Sequence, residues 1–201
     1  MLDSLRQPIE NGESMIARAN HRVTYPARFQ LVAAMNPCRC GMAGEPGATC
    51  ARGPRCEADY QARISGPMLD RIDLRIDVPA VSAADLIGTA CSEASAAVAA
   101  RVTRARDIQA ARYQALGLDG VGTNALCPAS LIEEVAAPDA AGAALLREAG
   151  EKLALSARAY HRVLRVARTL ADLEGGGPVR RIHLAEAISW RMAGERQARA
   201  A

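Results

Sequence analysis

The stretch FQLVAAM, residues 29 to 35, constrains this chain more than any other. It is an almost unbroken apolar run, too short for a stable helix. Such a run suits a strand covered on both faces, because both alternating sets of side chains must leave water. It stops at Asn36-Pro37, where proline removes a backbone donor and restricts the residue before it. Cys38 and Cys40 follow at once, and from 38 to 56 the chain is rich in Gly, Pro and Cys. That composition predicts a loop without regular structure.

The neighbouring segments read as a mixed α/β unit. Residues 2 to 10 are expected to form a short helix stopped by Asn11-Gly12. SMIARANHRVTYP holds two short β-like runs that meet at ANHR, the pattern of a hairpin with His21 and Arg22 near its tip. DYQARISGPMLDRIDLRIDVP gives a helical stretch, a Ser-Gly-Pro break, a turn of helix and an alternating strand, IDLRIDV.

Beyond Pro79 the pattern changes to helices alone. Residues 92 to about 115 are rich in Ala and Arg at helical spacing, and four further helical segments follow: CPASLIEEVA, DAAGAALLREAGEKLAL, SARAYHRVLRVARTLADLEG and HLAEAISWRMAGE. Ser156 is a candidate N-cap, and Gly175 to Gly177 a stop. The chain is therefore expected to divide near residue 80. Half of its residues are apolar but only 3% are aromatic, so Ala, Leu, Val and Ile must build the core.

Charge and cysteine usage narrow the environment. The formal net charge of +3 is too mild to announce a nucleic-acid binder by itself. Lys152 is the only lysine; every other basic residue is arginine. A GC-rich genome accounts for that bias, and so does a use for the planar guanidinium in binding phosphate. No run approaches the roughly 18 apolar residues of a membrane span, and the charged start does not resemble a signal peptide. A cytoplasmic protein is expected, with its six cysteines serving as metal ligands or buried thiols rather than disulfides. Cys38, Cys40, Cys50 and Cys56 can close a tetrahedral Zn²⁺ site, or can remain four reduced thiols in a loop. Cys91 and Cys127 are isolated and read as small packing residues.

Five blocks taken together carry a resemblance. LDSLRQPIENG, YPARFQLVAAMNPCRCG, RISGPMLDRIDL, LSARAYHRVLRVARTLADL and HLAEAISWR resemble, in order, the ComM/YifB family of magnesium-chelatase-like AAA+ ATPases. The resemblance implies an α/β AAA+ P-loop ATPase core remnant over residues 1–80, followed by an all-α lid domain over 81–201, mostly helical overall. It also implies a hexameric ring that uses ATP and Mg²⁺ to drive DNA branch migration in recombination and natural transformation. The phosphate-cradling G-x-x-x-x-G-K-[ST] string is missing, as is an apolar strand ending in Asp-Glu. The chain thus looks like the C-terminal portion of such an ATPase, whether natural or cut, and should not hydrolyse ATP alone.

The same resemblance gives residues their expected roles. Asn36 matches the sensor-1 position that orients the attacking water, although an Asn-Pro pair also simply ends strands. Arg71 matches an arginine finger offered to a neighbour's ATP, with an ion pair to Asp70 or Asp73 as the other use and Arg63 and Arg75 as nearby competitors. Arg158, in the first turn of the helix after Ser156, matches sensor 2, where the helix N-terminus already favours anions. Arg162 and Arg165 share its face and can be merely solvated. His21 and Arg22 are candidates for phosphate contacts with DNA in a central pore, or ordinary surface charges. His161 and His183 read as packing or capping residues. The helix with Arg101, Arg104, Arg106 and Arg112 faces either DNA or a neighbouring subunit. Two other functions fit the same residues: a magnesium-chelatase-like subunit for metal insertion or protein remodelling, and a truncated zinc-binding interaction module.

Overall fold

The computed structural model describes residues 2–42, 50, 52–53, 55–79, 81, 87 and 93–192. It separates into two compact units. The first comprises Met1–Ile72 with Val78–Ala80, and the second Asp73–Asp77 with Val81–Ala201.

The first unit opens with a 3-10 turn, Leu2–Leu5, that runs into helix α1, Arg6–Asn11. Gly12 closes α1 in the left-handed region (φ 68°), its N–H donating to the Pro8 carbonyl at 2.8 Å. Strands β1 (Glu13–Arg18) and β2 (His21–Pro26) then pair antiparallel around a two-residue loop, with Arg18 opposite His21 and Ile16 opposite Val23. This is the hairpin that ANHR predicts. Two short helices, α2 (Cys56–Gln61) and α3 (Gly66–Leu69), complete the unit, α3 having Pro67 in its first turn, where the missing N–H costs nothing.

The structure corrects two expected strands. Residues 29–35 and 72–78 lie outside any helix or sheet, and the β1–β2 hairpin is the only sheet among the described residues. Their apolar side chains are exposed, Val32 and Val78 at 84% each. A strand forms only when another strand accepts its backbone hydrogen bonds, and the described residues provide none for either segment. Residues 73–77 pack with the helical unit instead: the Arg75 N–H donates to the Trp190 carbonyl at 2.9 Å, and Asp73 pairs with Arg162 at 2.6 Å. The described residues are mostly helical with one small sheet.

The second unit contains α4 (Ser95–Ala115), a 3-10 turn (Asn124–Leu126), α5 (Ala129–Val135), α6 (Ala140–Lys152), α7 (Ala157–Leu173) and α8 (Arg181–Met192). Helix α7 is its axis. Ala159, Val163, Leu164, Ala167 and Ala171 form one buried stripe that meets Ile132, Leu146 and Leu184 from the surrounding helices. Ser156 caps α7 as expected, its hydroxyl accepting from the Ala159 N–H at 3.1 Å, and Asp139 caps α6 through the Gly142 N–H at 2.6 Å. Cys127 is buried in this core, as its isolation suggested. Cys91 lies outside the described residues.

A polar knot sits inside the helical core. Asp172 is 1% exposed and accepts from Arg112, from Arg168 Nε at 3.1 Å and from Asn124 Nδ2 at 2.8 Å. Asn124 Oδ1 in turn accepts from the Tyr113 hydroxyl at 2.8 Å. Burial pushes Arg168 below its usual value, and the Asp172 charge pulls it back. A carboxylate this deep persists because nearly every lone pair is satisfied. The knot ties α4, the 3-10 turn and α7 together.

Candidate metal centre

The cysteine loop is built from a device used twice. The Gly41 N–H donates to the Cys38 carbonyl at 3.1 Å, and the Gly53 N–H to the Cys50 carbonyl at 3.0 Å. Both glycines adopt positive φ, 82° and 86°, a conformation that any side chain would strain. Each turn curls the chain back so that its cysteine thiol points inward. Cys56 opens α2, its N–H donating to the Gly53 carbonyl at 3.2 Å. Gln61, at the end of that helix, donates to the Pro37 carbonyl at 3.3 Å and so ties α2 to the chain just before Cys38.

All four sulfurs, of Cys38, Cys40, Cys50 and Cys56, lie within 4.8 Å of one another. Cys38 to Cys40 and Cys40 to Cys50 are each 3.0 Å. A Zn–S bond of about 2.3 Å gives a tetrahedron with sulfurs about 3.8 Å apart, so the two close pairs need to spread by less than about 1 Å to admit the ion. Four thiols in that volume fit Zn²⁺ by number, softness and spacing. No position would remain open for water, so the metal would order the loop rather than act on a substrate. The crowding pushes the Cys50 thiol up to about 12, first through its hydrogen bond with Cys40, against the pull of the Arg52 backbone N–H.

The residues expected to serve nucleotide chemistry lie as follows. Asn36 is exposed on the extended segment, two residues before Cys38. Arg71 follows α3, is 8% exposed, donates to the Pro67 carbonyl at 2.7 Å and pairs with Glu10 of α1. It borders a cleft of about 330 Å³ that Asp3, Arg6 and Glu10 also line. Arg158 belongs to the second unit, exposed in the first turn of α7. Its companions are engaged: Arg162 with Asp73, and Arg165 with the Cys127 carbonyl at 2.9 Å.

The hairpin register adds a detail to the expected DNA contacts. His21 stands opposite Arg18, and Arg22 opposite Ala17, so His21 and Arg22 point to opposite faces. Arg18 is thus the cation that accompanies His21, a residue the sequence reading missed although the two-residue loop fixes that pairing. Glu10 was missed as well, because 61 positions separate it from Arg71. On α4, Arg112 is committed to the polar knot and Arg101 to Glu93 at 2.7 Å. His183 is buried, its Nδ1 accepting from the Arg180 N–H at 2.9 Å, which matches a capping role.

Residues 1–86 match the family model described as magnesium chelatase, subunit ChlI, and residues 92–191 match the one described as magnesium chelatase, subunit ChlI C-terminal. Competence protein ComM of Haemophilus influenzae is 43% identical over 192 residues, covering 95% of this chain and 36% of that protein. The chain belongs to the ComM/YifB family of magnesium-chelatase-like proteins. YifB of Escherichia coli is 39% identical over 191 residues, covering 94% of this chain and 36% of its own length. A Mycobacterium tuberculosis protein is 38% identical over 196 residues, covering 98% and 38%. This ComM/YifB chain therefore spans little more than a third of the length of these relatives. Its hairpin, cysteine turns, Asn36 and Arg71 fall in the first matched segment, and Arg158 with the helical core falls in the second.

Proposed function

We propose that this region is the C-terminal part of an ATP-driven DNA motor of the ComM type, working as a hexameric ring. The observation that carries the reading is the 43% identity, over 95% of the chain, to a protein named for competence. In this proposal ATP and Mg²⁺ are gripped by Walker residues outside these 201 positions. Asn36 holds the attacking water near the γ-phosphate, its amide adding no charge. Arg158 reads a γ-phosphate from a capped helix N-terminus, where the helix dipole already attracts anions. Arg71 is the arginine finger for the neighbouring subunit, and Glu10 holds its fork until nucleotide arrives. The hairpin brings His21, Arg22 and Arg18 to DNA phosphates, and the four cysteines hold a structural Zn²⁺.

A second reading has its own support, since both matching family models are described by magnesium chelatase. In it the same ATP machinery drives metal insertion or protein remodelling without DNA. Forked DNA separates the two. The longer protein that joins this region to a nucleotide-binding portion is incubated with a labelled fork and ATP across a salt series. Strand displacement, with binding that weakens steeply as salt rises, is the result the motor reading expects. ATP turnover that ignores DNA, with no displacement, favours the chelatase-like reading instead.

A further inference from the structure

A second cleft, of about 390 Å³, opens against the cysteine cluster and is lined by Arg39, Arg52, Cys56, Asp59, Tyr60 and Arg63. Two of its three cations come from the turns that gather the thiols. Arg39 lies between Cys38 and Cys40, and Arg52 lies inside the Cys50–Gly53 turn. Arg63 follows α2 and stacks over the Tyr60 ring, 5.6 Å from its centre. All three arginines are exposed. Other arginines have a carboxylate close by: Arg71 has Glu10, Arg101 has Glu93, and Arg162 has Asp73. Among the described residues no ion pair engages Arg39, Arg52 or Arg63, and the cleft contains a single acid, Asp59. Three guanidiniums against one carboxylate, in an open cleft beside a stacked Arg–Tyr pair, form a surface complementary to a polyanion with aromatic bases.

We infer that this arginine cleft is a binding site for the backbone of single-stranded DNA, separate from the β1–β2 hairpin. Its arginines contact phosphates without reading sequence, and Tyr60 with the Arg63 guanidinium over its ring offers π-surface for a base. The cysteine centre gains a purpose from this: it sets the spacing of the two turns that carry Arg39 and Arg52. The inference rests on the DNA reading given above, and it names the surface that performs it.

The test uses the whole 201-residue chain and a fluorescein-labelled oligothymidylate, with affinity measured by anisotropy over a salt series. The triple variant Arg39→Gln, Arg52→Gln, Arg63→Gln is compared with wild type and with a charge-matched control, Arg28→Gln, Arg147→Gln, Arg181→Gln, three exposed arginines with no part in the cleft, the hairpin tip or the nucleotide residues. Each phosphate contact to a single strand contributes about 0.7 to the slope of log affinity against log salt. The cleft variant is therefore expected to lose about 2 from that slope and to bind on the order of a hundredfold more weakly at about 0.1 M salt. Its metal content and melting temperature are expected to match wild type. An unchanged slope overturns the inference, as does an equal fall in the control or a fall that merely follows loss of metal. A wild-type chain without salt-sensitive affinity overturns the DNA reading with it. Wild-type binding that the cleft variant retains overturns the cleft alone.

Discussion

Cys38 is fully buried and Cys56 is 8% exposed, whereas Cys40 and Cys50 reach the surface. An ion bound by all four would be anchored from within and closed from without. Purified chain is expected to carry about one zinc, measured by atomic emission, and Cys56→Ser to carry substantially less and melt lower. A metal-free preparation that melts like the metal-bound one contradicts the centre. The cysteines were legible in the sequence because a Gly- and Pro-rich loop with four thiols has few other ways to become ordered. The partners of Arg71 and Asp172 were not. Glu10 and Arg112 lie 61 and 60 positions away from them, and charge in a sequence carries no address over that distance. Local reading offered Asp70 or Asp73 to Arg71, and the fold chose an acid on α1 instead.

Among elements, the helices were the most legible, because caps and a repeat of about 3.6 residues are local signals. Ser156 and the glycines from 175 delimit α7 much as expected. The strand readings of 29–35 and 72–78 failed for the complementary reason: apolar sequence records an affinity for a sheet, while the sheet itself is a non-local object. The end of α7 carries a testable electrostatic feature. Glu174, at its C-cap, pairs with Arg180 and has His183 Nε2 3.1 Å away. His183 first, and Arg180 after it, hold the Glu174 carboxyl below the usual carboxylate range. A carboxyl whose folded-state value lies below its unfolded one stabilises the fold above the unfolded value, about pH 4.3, and loses that contribution as pH falls through the folded one. Glu174→Gln should therefore lower the urea midpoint at pH 7, with the gap from wild type closing as the pH falls below the usual carboxylate range. A gap that stays constant over that range contradicts the assignment. The Glu174 carboxylate is exposed, so the effect should be small and should shrink further in salt.

For the whole molecule, no helix among the described residues is long and apolar enough to cross a membrane. Each compact unit carries its own fixed scaffold: paired glycine turns in the first, and the α7 core with its polar knot in the second. In the proposed motor, Asn36 and Arg71 come from the first unit and Arg158 from the second, and each is given a role in ATP turnover. That shared role is the central claim, and turnover in the longer protein tests it most directly. Arg71→Ala and Arg71→Lys are compared with wild type for ATP hydrolysis, with nucleotide binding measured alongside. Lysine keeps the charge but loses the planar fork, so it controls for the buried pairing with Glu10. The account predicts near-normal nucleotide binding with turnover reduced by about 10³-fold or more in both variants. Turnover at the wild-type rate in either variant contradicts it.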